Sequence, residues 1–170
     1  MDVDRESIME EMEDTQRGRF LTFALGAEDY GIEIKFVTEI IGIQEINKLP
    51  EVPDYIKGIV NLRGKIIPVI DVRLKFKKEP IDYTDRTCII VIDTEDISVG
   101  LIVDSVSEVI SISDENIVPP PDARTGVQNK YIKGIGRVGD RIKLLLDCEK
   151  LFLENELQAI SEINIEGKEK

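Results

Sequence analysis

The fourteen residues Gly58-Ile-Val-Asn-Leu-Arg-Gly-Lys-Ile-Ile-Pro-Val-Ile-Asp71 decide the fold. Two apolar runs flank the dipeptide Arg63-Gly64, and glycine at such a position is typical of a tight turn between paired strands. The stretch therefore predicts a β-hairpin whose second strand, Ile66–Ile70, enters the core. The hairpin explains the apolar residues and Gly64 but gives no reason for Asn61 or Arg63. Arg63 is either simply solvated or uses its forked guanidinium to bind a carboxylate or carbonyl of a partner.

The rest of the chain has the composition of a β protein. It contains 27 Ile and 14 Val against 12 Leu and 4 Ala, and β-branched side chains favour strands over helices. Short apolar runs alternate with turn residues, a spacing typical of barrels and sandwiches. Helix signals are confined to residues 71–76 and 147–160, which each begin with a capping Asp. The sequence thus predicts a mainly β fold with strands at Arg19–Leu25, Gly31–Ile34, Ile40–Ile43, Gly58–Leu62, Lys65–Ile70, Cys88–Ile92, Ser98–Val103, Val106–Ile110, Ile132–Ile135 and Arg141–Leu146.

An internal repeat organises the chain. The pentapeptide Tyr55-Ile-Lys-Gly-Ile59 recurs 76 residues later as Tyr131-Ile-Lys-Gly-Ile135. We predict two similar halves, residues 18–80 and 86–153, each too small for much independent stability and therefore sharing a buried interface. A groove between two pseudo-symmetric barrels is then a natural docking place. Further matched positions are Ile66 with Ile142, Asp71 with Asp147 and Phe76 with Phe152, and, at an offset of 69, Gly31 with Gly100 and Val37-x-Glu39-x-Ile41 with Val106-x-Glu108-x-Ile110.

The net charge of −12 is concentrated at the two ends. Residues 1–14 hold seven acids and one base, and residues 154–170 hold five acids and two bases. We therefore predict an acidic flexible tail over residues 1–17 and a C-terminal helix or tail over residues 154–170. The chain lacks the basic stripe of a nucleic-acid binder, an apolar run long enough to enter a membrane, and a secretory signal. We expect neither nucleic acid nor direct membrane insertion.

Candidate catalytic and metal-binding patterns are weak. The chain has no His, which removes His-based triads and His zinc ligands, and Cys88 and Cys148 are widely separated. The stretch Gly134–Gly139 matches the G-x-G-x-x-G pattern, but a strand rather than a helix follows it, which favours a hairpin over a nucleotide site. The acids at 93, 95 and 96 are typical of an exposed turn. We expect no enzyme activity, no cofactor and no metal.

At the first motif the sequence resembles the CheW family of bacterial chemotaxis coupling proteins, over about Arg19 to Phe152. The specific signature is Asn61-Leu-Arg-Gly64 with Pro68 and Asp71 downstream. The resemblance implies two pseudo-symmetric SH3-like five-stranded β-barrels packed together, with short helices including a C-terminal one. That architecture agrees with the duplication. Supporting motifs are Phe23-x-Leu25-Gly26, Glu28-x-Tyr30-Gly31-Ile32, Val37-x-Glu39-Ile40, Ile56-Lys-Gly58 and Gly100-x-x-Val103-Asp104-x-Val106.

The resemblance also implies a function. Proteins of this family are non-catalytic cytoplasmic adaptors, recruited to membrane receptor arrays, that link the cytoplasmic tips of chemoreceptors to the regulatory domain of a CheA-type histidine kinase. Two other interpretations stay open at this stage. One is a regulatory barrel pair belonging to a chemotaxis kinase or related scaffold, and the other is a small-ligand-binding barrel or an enzyme.

Site residues follow from the resemblance where the motif matches. Receptor contact is expected of Val37, Glu39, Gly58, Asn61 and Arg63, although Val37 and Gly58 would also suit simple barrel packing. Kinase contact is expected at barrel ends that present apolar residues from loops. The candidates there, each of which would equally suit a core position, are Ile46, Leu49 and Val118.

Overall fold

The computed structural model describes residues 17–94, 97–120 and 131–152. The predicted tails, apart from Arg17, and the end of the predicted second helix lie outside these residues. Helix α1 is Val72–Lys75 and helix α2 is Cys148–Phe152, and single 3-10 turns occupy Ile34–Phe36 and Asp114–Asn116. The strands are β1 (Arg19–Leu25), β2 (Glu28–Glu33), β3 (Val37–Gly42), β4 (Ile56–Leu62), β5 (Lys65–Asp71), β6 (Cys88–Asp93), β7 (Ser98–Val103), β8 (Ser105–Ser111), β9 (Ile117–Val118), β10 (Ile132–Val138) and β11 (Arg141–Leu146).

The strands form two curled sheets, which we call barrel 1 and barrel 2. Barrel 1 has the strand order β3-β6-β7-β5-β4, and barrel 2 has the order β8-β1-β2-β11-β10-β9. This arrangement confirms the predicted mainly β fold of paired barrels. All ten predicted strands are present, and the two-residue strand β9 is an addition that the sequence did not indicate. Its brevity explains this, since two residues carry no alternation pattern.

Each barrel is built from both halves of the sequence. At an offset of 69, β1 and β2 align with β6 and β7, and at an offset of 76, β4 and β5 align with β10 and β11. Yet the β1–β2 hairpin lies between β8 and β11 in barrel 2, and the β6–β7 hairpin lies between β3 and β5 in barrel 1. The two halves, 18–80 and 86–153, have therefore exchanged their first two strands, and the barrels do not coincide with them.

The exchange is made through two equivalent parallel strand pairs. Gly31 of β2 pairs with Leu145 of β11, and Gly100 of β7 pairs with Val69 of β5. These pairs occupy matching positions of the repeat, so the two barrels have the same internal geometry. A parallel pair needs a long crossover connection, and strands donated by the opposite half satisfy this without any knot.

Three apolar clusters hold the barrels together. Because side chains alternate across a strand, Ile70 of β5 faces a large core shared by both barrels, while its neighbour Val69 faces a core that belongs to barrel 1. Phe20 and Leu145 belong to a third core inside barrel 2. Both β1 and β5 thus bury apolar side chains on both faces, which explains their nearly continuous apolar sequences. A row of aromatic rings runs through the shared core and consists of Phe23, Tyr30, Phe76 and Tyr131.

The two short helices begin as the sequence predicts. The Asp71 side chain accepts a hydrogen bond from the Leu74 amide at 3.4 Å. The Asp147 side chain accepts one from the Lys150 amide at 3.1 Å. Both are N-cap contacts that satisfy otherwise unpaired amides of a first helical turn. None of the helices described is long and apolar enough to cross a membrane.

A half-buried ion pair ties the exchanged strands to helix α1. Arg73 donates two hydrogen bonds of 2.8 Å to the Asp104 carboxylate, and the Gly26 amide donates a third at 2.7 Å. Burial by itself would raise the pKa of Asp104, but the hydrogen bonds from Arg73 and Gly26 hold it below its usual value. This contact joins the β1–β2 turn, the end of β7 and α1 in one place.

Candidate protein-interaction site

The turn of the β4–β5 hairpin has the geometry that the sequence predicted. Arg63 and Gly64 both have positive φ, at 53° and 85°, which is the pattern of a two-residue type I′ turn. The Gly64 amide donates a hydrogen bond of 2.9 Å to Asn61 Oδ1. Asn61 therefore stabilises the turn through its side chain, a role that the sequence analysis left unexplained. The turn fixes the direction in which Arg63 leaves the barrel.

Arg63 meets Glu39 across the mouth of barrel 1. Glu39 lies on β3 and Arg63 follows β4, which are the two outer strands of the sheet, and their side chains form an ion pair. Arg63 is 73% exposed and Glu39 26%. An ion pair at this exposure adds little to stability, but it sets the orientation of the guanidinium. Arg63 has five donor hydrogens, so one carboxylate leaves several for a partner.

Val37 and Gly58 lie deeper than the ion pair. Val37 is two residues from Glu39 on β3, half-buried, and packs against the shared core. Gly58 is buried in β4, where the pairing with β5 shifts register. Of the five residues that the resemblance marks for receptor contact, the structure brings Glu39, Asn61 and Arg63 to one exposed end of barrel 1. Gly58 lies beneath the chain segment at Asn47.

Gly58 is required by the backbone. Its φ is +143°, and a Cβ at this position would lie 2.7 Å from the Asn47 carbonyl carbon and still closer to its oxygen. The approach arises because Asn47 and Ile59 exchange two backbone hydrogen bonds of 2.8 Å. Gly134, the repeat equivalent, is likewise crossed by Ile117 and Val118. In both barrels a crossing segment thus lies close to a strand glycine, and Gly58 therefore has a role in the fold.

A second polar group occupies the same end of barrel 1. Lys65 Nζ donates a hydrogen bond of 2.8 Å to Ser98 Oγ, and the Ser98 hydroxyl donates to Asp93. Lys65 directly follows the hairpin turn, and Asp93 and Ser98 are the last pair of the β6–β7 ladder. The sequence analysis treated Asp93 as an exposed turn acid and missed Lys65 and Ser98. The only signal in the sequence was that Lys65 directly follows the Arg63-Gly64 turn.

The three residues expected to contact the kinase lie in segments of two different barrels. Ile46 packs against the barrel 1 core and Leu49 against the shared core, both half-buried. Val118 belongs to barrel 2, where it pairs with Ile135. Ile46 and Leu49 therefore have packing roles, and Val118 is half-buried on strand β9. The large apolar side chains that are most exposed among the described residues are different ones, namely Ile40, Ile81, Tyr83, Val109 and Ile142.

Two candidate sites from the sequence, a metal cluster and the glycine-rich stretch, can be compared with the described residues. No group of three or more acidic or Cys side chains in residues 17–94, 97–120 and 131–152 is placed to hold a metal ion. Burial raises the pKa of the Cys148 thiol to about 12, so it stays protonated. The glycine-rich stretch 134–139 forms strand β10 and its turn into β11, so the helix that a dinucleotide site requires is absent there.

Two interlocked barrels, with an exposed charged rim at one end, define a protein-interaction module of the SH3-like class. A family model described as CheW-like domain matches residues 19–156. The chain therefore belongs to the CheW family, and it is a non-catalytic adaptor of bacterial chemotaxis.

Individual relatives agree with this assignment. The chain is 40% identical over 144 residues to the chemotaxis protein CheW of Klebsiella aerogenes, covering 85% of this chain and 87% of that protein. It is 36% identical over 149 residues to CheW of Treponema pallidum, covering 85% and 88%. The crystal structure of the scaffolding protein TtCheW from Thermoanaerobacter tengcongensis superposes with a TM-score of 0.76 at 37% identity, covering 82% of this chain and 94% of that one.

Proposed function

We propose that the protein couples the cytoplasmic tips of chemoreceptors to the regulatory domain of a CheA-type histidine kinase, in the cytoplasm and within membrane receptor arrays. The observation that carries the proposal is the oriented Arg63 at the mouth of barrel 1, held by a type I′ turn and by Glu39. Nothing in barrel packing requires an arginine there. A guanidinium that is exposed, oriented and only partly used is suited to bind a carboxylate or carbonyl of a partner.

The receptor face is the Arg63 end of barrel 1. Arg63 makes the direct contact, and Glu39 and Asn61 belong to the same face and keep its geometry. Val37 lines this face from β3, where it is half-buried. Gly58 acts through the fold by letting the Asn47 segment lie close to β4. A partner that docks here contacts the charged residues Arg63 and Glu39 at the rim and the apolar side chain of Val37 behind them.

The kinase face uses a different part of the molecule. Ile46 and Leu49 lie in the segment between β3 and β4, and Val118 lies on the short strand β9 of barrel 2. Asn47 and Val118 pair with equivalent positions of the repeat, Ile59 and Ile135. The two barrels thus present similar crossing segments at pseudo-symmetric places. A kinase domain built from similar barrels would dock barrel to barrel on one of them.

Coupling then needs no chemistry. An adaptor that binds two partners raises the effective concentration of each for the other. It transmits a change in one partner only if it binds the two states of that partner with different affinity. Because the barrels share one core, a shift at the rim of barrel 1 is resisted by both. Such rigidity keeps the geometry between receptor and kinase fixed.

Arg63→Ala tests the receptor face. The variant should fold, with a free energy of unfolding within about 0.5 kcal/mol of the wild type, because an exposed ion pair contributes little. Its affinity for a receptor cytoplasmic fragment from the same organism should fall by about tenfold or more, since losing a charged donor at an interface costs about 1–3 kcal/mol. Isothermal titration against the fragment and against the kinase regulatory domain checks this, and kinase binding should stay unchanged.

The matched control is Arg141→Ala, which removes an exposed arginine next to the equivalent turn of barrel 2. It should bind the receptor fragment as the wild type does. Glu39→Gln should weaken binding by itself but add little in the Arg63→Ala background, because the two residues act through one contact. Equal receptor affinities of Arg63→Ala and Arg141→Ala would remove the basis for the receptor face.

A further inference from the structure

Lys65 is held more tightly than an exposed lysine usually is. Its side chain is 54% exposed, yet its ammonium donates to Ser98 Oγ at 2.8 Å and lies 3.9 Å from an oxygen of Asp93. The Ser98 hydroxyl in turn donates to Asp93. Hydroxyl and carboxylate thus fix a long, flexible cation in one place. A lysine restrained before binding has less rotamer freedom to lose when a partner arrives.

The position of this cluster links it to Arg63. Only Gly64 separates Arg63 from Lys65, and Lys65 pairs with Leu62 at the base of the turn. Two residues of extended chain span at most about 7 Å. Each cation is tied to a carboxylate on a different strand, Arg63 to Glu39 and Lys65 to Asp93 by way of Ser98. Barrel 1 therefore carries two restrained cations whose backbone positions lie two residues apart at one hairpin turn.

The backbone spacing of Arg63 and Lys65 is comparable to the spacing of side chains along one face of a helix. Side chains three or four residues apart on a helix are neighbours, with Cβ atoms about 5–6 Å apart. Carboxylates at such a spacing would meet Arg63 and Lys65 together. Each cation keeps free donors for this purpose, because a guanidinium has five and an ammonium three.

We propose that Lys65, positioned by Ser98 and Asp93, is the second charged contact of the receptor face. Its ammonium donates to a carboxylate that lies one helical turn from the carboxylate or carbonyl bound by Arg63. The proposal rests on the proposed receptor face and adds the chemistry of the partner, a helix with two acceptor groups on one side. Lys65 would then select among receptor sequences, while Arg63 supplies the contact common to them.

The test compares Lys65→Glu with Arg141→Glu. Position 141 is the repeat equivalent of position 65 and likewise opens the second strand of its hairpin, so both variants change the net charge by the same amount. The probe is the receptor cytoplasmic fragment, titrated at several salt concentrations. Lys65→Glu should weaken binding by about tenfold at low salt, with the difference shrinking at high salt. Arg141→Glu should change it by less than about twofold.

Ser98 has its own test as a positioning residue. Ser98→Ala keeps Lys65 but removes the hydroxyl that restrains its ammonium, so receptor binding should weaken by about threefold. Ser98→Thr, which keeps a hydroxyl, should bind the receptor fragment as the wild type does. If Ser98→Ala instead caused a structural defect, it would lower kinase binding and thermal stability together with receptor binding. If Ser98→Ala binds the receptor fragment as tightly as the wild type does, Ser98 does not position Lys65.

The outcomes keep this inference distinct from the proposed function. If Lys65→Glu binds the receptor fragment as tightly as Arg141→Glu while Arg63→Ala binds weakly, Lys65 is not a contact and the receptor face stands with Arg63 alone. If both Lys65→Glu and Arg63→Ala bind as the wild type does, the receptor face itself is wrong. Lys65→Arg, which keeps the charge, should retain most of the affinity if the inference holds.

Discussion

Residues 17–85 and residues 86–152, produced as separate chains, should each fail to fold. Barrel 1 needs β6 and β7 from the second half, and barrel 2 needs β1 and β2 from the first. Either half alone would lose a barrel's central strands and expose the shared core. Each should lack a cooperative unfolding transition, and mixing the two should restore one, since they complete each other's barrels. Circular dichroism during heating measures both effects.

The control is the full chain cut once within the exposed connection between α1 and β6, after folding. The nicked protein should stay associated, because the shared core and the Arg73–Asp104 ion pair cross the cut. A cooperative transition in either isolated half would show that the halves are independent units, against the exchange seen in the structure.

Gly58→Val should destabilise the protein by about 3 kcal/mol or more. Its side chain would overlap the Asn47 carbonyl, and the φ of +143° is one that β-branched residues avoid. The clash is with backbone, so no rotamer change relieves it. Urea unfolding followed by circular dichroism gives the free energy of unfolding. The unfolded variant should also lose its binding to both the receptor fragment and the kinase regulatory domain.

Gly64→Ala provides the comparison. Gly64 also has positive φ, but no atom lies within 4 Å of a Cβ built there. Only the left-handed backbone is penalised, at about 1–2 kcal/mol. Gly134→Val should fall between the two, because the nearest neighbour of its Cβ is a side-chain atom, Ile117 Cγ2, at 3.0 Å. A Gly58→Val protein that is as stable as Gly64→Ala would contradict the structural role given to Gly58.

Local features of the fold were accessible from the sequence. The hairpin at Arg63-Gly64, the N-caps Asp71 and Asp147 and the duplication all depend on neighbouring residues or on direct similarity between segments. The exchange of strands was not accessible. When two halves are alike in sequence, similarity offers two candidate sites for a strand such as β2, one in each barrel. Similarity alone then cannot decide which half donates it.

The candidate site was predictable in part for the same reason. The resemblance named Glu39 and Arg63, but their ion pair depends on how barrel 1 closes, which brings together residues 24 positions apart. The Lys65–Ser98 contact spans 33 positions and involves no recognisable motif. Asn61 is different: its bond to the Gly64 amide is a local turn contact, and the Asn-x-x-Gly spacing could have indicated it.

The kinase side shows the opposite limit. Ile46, Leu49 and Val118 are predicted kinase contacts because they are apolar; all three are half-buried, and Ile46 and Leu49 pack against a core cluster. Apolarity in a sequence does not distinguish a core residue from a docking residue, because both exclude water. Only the exposure of a side chain in the folded chain helps to separate them, and that exposure is not visible in the sequence.

In the proposed function, one molecule holds receptor and kinase at the same time on separate faces. The most direct measurement is the affinity of the receptor cytoplasmic fragment for the protein already saturated with the kinase regulatory domain, followed by surface plasmon resonance. We expect a ternary complex in which this affinity lies within about threefold of that for the free protein. Displacement of the kinase domain by the receptor fragment, with no ternary complex at any concentration, would contradict it.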